Sequence, residues 1–76
     1  MLVTTVESST LARVAYDEHA QNLWLEFRSR ALYCYFAVPA SIHRGLIEAP
    51  SKGTYFNHHI RGRFRYERQL NALSLG

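Results

Sequence analysis

Two runs in the first half of the chain alternate between apolar and polar positions. In Leu11–Asp17 (LARVAYD), Ala12, Val14 and Tyr16 fall on one side, and Arg13, Ala15 and Asp17 on the other. In Asn22–Arg28 (NLWLEFR), Leu23, Leu25 and Phe27 oppose Asn22, Trp24, Glu26 and Arg28. A period of two is that of a half-buried strand. Ser29-Arg30 then leads into Ala31–Val38 (ALYCYFAV), a third strand whose faces are both apolar or aromatic, so alternation leaves open which side takes Tyr33 and Tyr35. Ser29-Arg30 is not the Asn-Gly type of two-residue hairpin, which predicts a bulge or a longer loop. Short connections between the three strands predict an antiparallel meander. Residues 2–10 are rich in β-branched side chains but lack a period, and read as an edge strand or a frayed lead-in.

The period changes at Pro39. Ile42, Leu46 and Ala49 follow at helical spacing, with Pro39 expected at the first helical position, where its missing N–H costs nothing. Ala49-Pro50 ends that helix, because a residue before proline avoids the α region. Ser51 is placed to cap a second helix with Phe56 and Ile60 on one face and Gly62 as its stop. Phe64-Arg65-Tyr66 reads as a short extended piece, and 70–76 as a frayed tail. The fold class is therefore α+β: a three-stranded antiparallel meander followed by two short helices packed on one sheet face. The face of Leu23, Leu25 and Phe27 is the one to be covered, leaving Trp24 on the open side. The expected unit is one domain over 1–76 with its core at about 6–69; 76 residues leave no room for two cores.

Composition adds a compartment and a charge pattern. The single cysteine, Cys34, cannot form an internal disulfide, which favours a reducing, cytoplasmic setting. No apolar run approaches a membrane span, and the first residues lack a signal peptide's basic region. The net charge of +3 is unevenly spread: residues 1–38 hold three Arg against four acids, and residues 39–76 hold five Arg and one Lys against two Glu. Such asymmetry suits an anionic partner, nucleic acid foremost.

VESSTLARVAYDEHAQNLWLEF, YCYFAVPASIHRGL and SKGTYFNHHIRGRFRYER together closely resemble the KTSC domain, a small bacterial and phage family also found at the C-terminus of some lysyl-tRNA synthetases. The resemblance spans about residues 6–69. Its Tyr-x-Tyr corresponds to Tyr33-Cys34-Tyr35 and its Val-Pro helix start to Val38-Pro39. The Ser-x-Gly-x-Tyr-Phe-Asn…Ile-Arg run corresponds to Ser51, Gly53, Tyr55, Phe56, Asn57, Ile60 and Arg61. The family often has glycine where this chain has Ser29-Arg30. Through the synthetase association, the resemblance implies RNA binding.

Candidate chemistry concentrates between Ser51 and Arg68. Ser51, Lys52 and Gly53 outline a helix-terminus anion site, with an ordinary N-cap as the competing reading. Arg61, Arg63 and Arg65 at spacing two, joined by Arg68, would line one side of an extended segment and track phosphates; the competing reading is a solvated face paired to Glu67 or Glu48. Tyr33, Tyr35 and Trp24 could stack on bases, or serve the core and an interface. His58 and His59 are adjacent and cannot clamp one metal, so no metal or cofactor is expected. A small nuclease built on those histidines, Arg61 and Glu67 is a third reading behind two others. The first is a non-catalytic nucleic-acid-binding module; the second is a protein-interaction module that docks or homodimerises through the open sheet face.

Overall fold

The structure is a computed structural model that describes residues 2–69. Five antiparallel strands lie in sequential order: β1 (Leu2–Thr5), β2 (Leu11–Asp17), β3 (Asn22–Phe27), β4 (Leu32–Tyr35) and β5 (Tyr66–Gln69). Two helices, α1 (Ala40–Glu48) and α2 (Lys52–His59), intervene between β4 and β5. The expected three-stranded meander is thus the middle of a five-stranded sheet. β1 and β5 are four described residues each, and β5 (YERQ) has Tyr66 as its one apolar side chain, so neither shows an apolar alternation. They form because β2 and β4 would otherwise leave rows of backbone N–H and C=O groups unpaired.

Register sets the faces. Tyr16, Leu23, Tyr35 and Tyr66 stand in one row across β2 to β5, and Val14, Leu25, Tyr33 and Arg68 in the next. Both helices cover this face: Leu46 of α1, with Phe56 of α2 and Ile60 at its C-cap, joins Val14, Leu23, Leu25 and Tyr35 in the core. Fully burying such side chains stabilises by about 1.5–3 kcal/mol each. The opposite face carries Ala15, Trp24, Cys34 and Glu67, with Trp24 half-buried. A two-pronged Arg13–Glu26 ion pair (2.6 and 2.9 Å) spans β2 and β3 there.

The loop after β3 is longer than a two-residue hairpin, as expected, and the connections deviate from the sequence reading in two later places. After β3 the chain turns through Arg28-Ser29-Arg30, with Phe27 N–H donating to Ala31 O (2.8 Å) and Arg30 at φ 75°. This is a three-residue loop closed by a left-handed residue. β4 stops at Tyr35, short of the expected Val38, because Ala37 at φ 57° ends the extended run. Pro39 is the residue before α1, not its first residue; its carbonyl accepts from Ile42 N–H at 3.0 Å. The helices meet where Gly45 lies under Tyr55: a Cβ on Gly45 would stand 2.8 Å from Tyr55 Cζ. The expected tail at 70–76 lies outside the described residues.

Candidate functional site

Five aromatic side chains from four elements form a closed ring of contacts. Phe27, at the end of β3, meets Tyr33 of β4 edge to face at 5.8 Å; Tyr33 meets Tyr66 of β5 at 5.6 Å; Tyr66 meets Tyr35 at 5.4 Å. Tyr35 then meets Phe56 of α2 at 5.9 Å, and Phe56 closes the ring on Phe27 at 5.3 Å. These rings, together with Arg61 and Gly62 of the α2–β5 turn, line a cleft of about 230 Å³. Alternation explains the sheet's share: Tyr33, Tyr35 and Tyr66 all fall on the covered face, at its edge, where α2 ends before reaching β5. Tyr35 is buried, whereas Tyr66 is 55% exposed and offers most of its ring to solvent.

The polar groups of the cleft are donors. Burial, with the neighbouring Tyr66 and Tyr33 phenols, pushes the Tyr35 hydroxyl up to about 12, and Arg61 acts on it in the opposite sense. Tyr35 therefore keeps its proton, and the hydroxyl makes no hydrogen bond to the described residues. Among the described residues no carboxylate lines the cleft. Gly62 adopts φ +74° with open space where a side chain would stand, so the backbone of that wall is approachable.

The four arginines do not form the single row expected of an extended segment. Residues 60–63 are a turn, made possible by Gly62 in the left-handed region. Arg61 points to the cleft, and Arg68 stands beside Tyr33 on the same face. Arg63 folds back to donate through Nε to the His58 carbonyl at 3.0 Å. Arg65 emerges on the opposite face, its guanidinium 5.6 Å from the centre of the Phe36 ring. Among the described residues the one ion pair is Arg13–Glu26, so pairing of Arg61 or Arg68 to Glu67 or Glu48 does not occur there.

Ser51 is the N-cap of α2; its Oγ accepts from Thr54 N–H at 3.3 Å. Lys52 Nζ donates to the Ala49 carbonyl at 2.9 Å and so turns back toward the preceding loop. A Cβ on Gly53 would lie 2.6 Å from Thr10 Oγ1, which makes this glycine a packing residue against the β1–β2 loop and leaves it no room for an anion. These three residues stand apart from the arginine cleft. Trp24, expected as a stacking residue, lies on the opposite face from Tyr33 and Tyr35.

A larger cleft, about 600 Å³, opens between the β2–β3 turn and α1. Its rim is acidic, with Asp17, Glu18 and Glu48, and its floor is the His43 ring stacked on Tyr16 at 4.5 Å. The Tyr16 hydroxyl donates to the Val38 carbonyl at 2.6 Å, while His43 Nε2 is buried without a partner. Burial, aided by Arg44, holds this imidazole below its usual range. Among the described residues no cluster of three or more His, Cys, Asp or Glu could hold a metal, and no helix is long and apolar enough to cross a membrane.

Comparison with known proteins decides the family. The sequence profile of the KTSC domain matches residues 7–64. The chain is a KTSC domain. A crystal structure of a KTSC domain protein from Yersinia pestis has the same fold, with a TM-score of 0.86 at 31% identity, covering 90% of this chain and 96% of that one. A lysine–tRNA ligase of Nostoc punctiforme is 43% identical over 61 residues; the match takes in 80% of this chain and 11% of the ligase. A protein of Stutzerimonas stutzeri is 46% identical over 52 residues, 73% of its own length. This KTSC domain thus corresponds to about a tenth of the ligases it matches.

The KTSC motif residues, more than twenty positions apart in sequence, converge in space. Tyr33, Tyr35, Phe56 and Arg61 all line the aromatic cleft, whereas none lines the larger acidic one. Val38, Ile60 and Gly53 serve the packing around it. Sequence reasoning missed Phe27, which looked like one more core residue of β3. Its signal was its position: the last covered-face residue before the turn, where the sheet runs out of helix to cover it.

Proposed function

We propose that this domain is a non-catalytic nucleic-acid-binding module for single-stranded RNA, and that its contact surface is the aromatic cleft with Arg61 and Arg68 beside it. The observation that carries the reading is the exposed Tyr66 ring, with Arg61 lining the same cleft, Arg68 on the same sheet face, and neither arginine paired to a carboxylate among the described residues. Aromatic faces hold unstacked bases at about 1–3 kcal/mol each, and guanidinium groups hold the phosphates between them. The presence of similar segments in proteins named lysine–tRNA ligase agrees with an RNA partner. Cys34 is buried and burial pushes its thiol up to about 11, so it stays an unreactive thiol suited to a reducing cytoplasm.

The division of the arginines between faces lowers the expected electrostatic share. With Arg65 behind the sheet and Lys52 turned away, two to three phosphates are neutralised, so log K against log salt should slope by about −2. Fluorescence anisotropy of a labelled oligouridylate between low and moderate salt measures this. Absence of binding at low salt, or binding insensitive to salt, removes the reading.

The half-buried Trp24 and Phe36 on the open face favour a second reading, a protein-interaction or homodimer surface. Sedimentation showing a monomer, with Trp24 emission unprotected by any partner, would count against it.

A further inference from the structure

The cleft is more specific than a basic surface requires. Its five aromatic side chains, three of them tyrosines, and the Arg61 guanidinium line a space of about 230 Å³, too small for a folded partner. The geometry points to a seat for one nucleotide: the phosphate against Arg61 and the Tyr35 hydroxyl, and the base laid on the exposed ring of Tyr66. This rests on the nucleic-acid reading above and deepens it by naming the unit that the cleft takes.

Three observations lead to this seat. First, its polar side chains offer protons. Arg61 has only donors, and the Tyr35 phenol, raised to about 12, keeps its hydrogen at any physiological pH. Among the described residues no carboxylate stands in the lining to repel an anion. Second, Gly62 leaves the turn side of the cleft bare, because its φ of +74° and the empty space around its missing side chain let a phosphate approach the backbone. Third, Tyr66 is the one large apolar side chain that the described fold leaves largely exposed, at 55%, and it is held edge to face by Tyr33. A ring fixed in this way presents a preorganised face, so that stacking on it costs little side-chain entropy. Among the described residues, the larger cleft against α1 is lined by the carboxylates of Asp17, Glu18 and Glu48 and by no glycine.

Isotope-labelled protein titrated with uridine 5′-monophosphate, uridine and inorganic phosphate in parallel tests the seat by NMR. The mononucleotide should move the resonances of Arg61, Gly62 and Tyr66 and bind more tightly than either of its parts. Arg61→Gln, on an exposed turn, should weaken it about tenfold or more, since a hydrogen bond to a charged group is lost. Tyr35→Phe keeps the ring and removes only the hydroxyl, and should weaken it several-fold with the melting temperature little changed. Equal shifts from phosphate alone would mean an adventitious ion only and would overturn the seat. So would mononucleotide shifts elsewhere, or Arg61→Gln binding as the parent does. An oligouridylate separates the two levels. If it binds with a salt slope that Arg61→Gln and Tyr66→Ala leave untouched, the RNA reading stands and the seat falls. If the mononucleotide binds as described and the oligomer does not, the seat stands and the RNA reading falls. If neither binds, both fall.

Discussion

Replacing Arg30 by glycine should make the protein more stable, against the general trend of substitutions. Arg30 is the third residue of the Arg28-Ser29-Arg30 loop, and its N–H donates to the Phe27 carbonyl at 2.9 Å. Closing a hairpin in this way puts that residue in the left-handed region, here at φ 75°. A side chain with Cβ costs about 1–2 kcal/mol there, and glycine removes the cost but gives back about 0.5–1 kcal/mol through the freedom of the unfolded chain. The exposed Arg30 side chain makes no ion pair among the described residues, so little else is lost. The net gain is about 0.5–1 kcal/mol, a rise of about 2–8 °C in Tm for a domain of this size. Gly62→Ala is the mirror experiment: φ is +74° and nothing lies within 4 Å of the added Cβ, so the penalty is the backbone's alone and Tm should fall by a similar amount. Thermal unfolding followed by circular dichroism, with urea midpoints to confirm unchanged m-values, measures both. If Arg30→Gly lowers Tm, or Gly62→Ala leaves it unchanged, then left-handed backbone is not what limits these two turns.

Three further outcomes follow from other parts of the structure. Gly45→Ala should destabilise by about 1–3 kcal/mol, because the new methyl meets the Tyr55 ring where the helices cross; combined with Tyr55→Ala the two effects should fall short of adding, in a double-mutant cycle by urea denaturation. Folded His43 titrates below its usual range, so the unfolded chain takes up a proton first as pH falls through about 6.5. Stability is then full above that pH and declines below it until the folded imidazole is also charged; His43→Gln should flatten this part of a urea-midpoint profile between pH 7.5 and 5. On RNA, Arg61→Ala and Arg68→Ala should each reduce the salt slope by about 0.7, whereas Arg65→Ala, on the opposite face, should change it much less.

The strands legible in the sequence were those with one buried face. β2 has its expected bounds and β3 ends one residue early, because Val14, Tyr16, Leu23 and Leu25 alternate with polar residues. β4 was visible as a strand but not as a face: with Cys34 and Leu32 buried on one side and Tyr35 on the other, only its register against β3 assigns the tyrosines. β5 shares only Tyr66 with the extended piece expected at Phe64-Arg65-Tyr66; its other residues carry no apolar signal, and it pairs with the free edge of β4. The arginine row failed because period-two reasoning presumes extended backbone, and Gly62 turns the chain instead. Gly53 was read as room for an anion, whereas Thr10, more than forty residues away, fills that room. Long-range packing of this kind leaves no local trace. The KTSC motif, in contrast, named four of the residues that line the cleft without revealing that they meet.

The aromatic ring is completed by a strand with only one neighbour. β5 hangs on β4 alone, and Tyr66 is its link to Phe27 and Phe56 through Tyr33 and Tyr35. A strand paired on one side exposes its backbone hydrogen bonds, a mark of segments that open readily in the native state. A guest held between Tyr66 and Arg61 would therefore act as a latch, tying the last strand to the helix that precedes it. Occupancy would be written in the amide exchange of Tyr66–Gln69, which should slow in proportion to ligand concentration over its Kd. In such an arrangement the domain carries its binding signal in the order of a chain segment, with the rest of the sheet standing still.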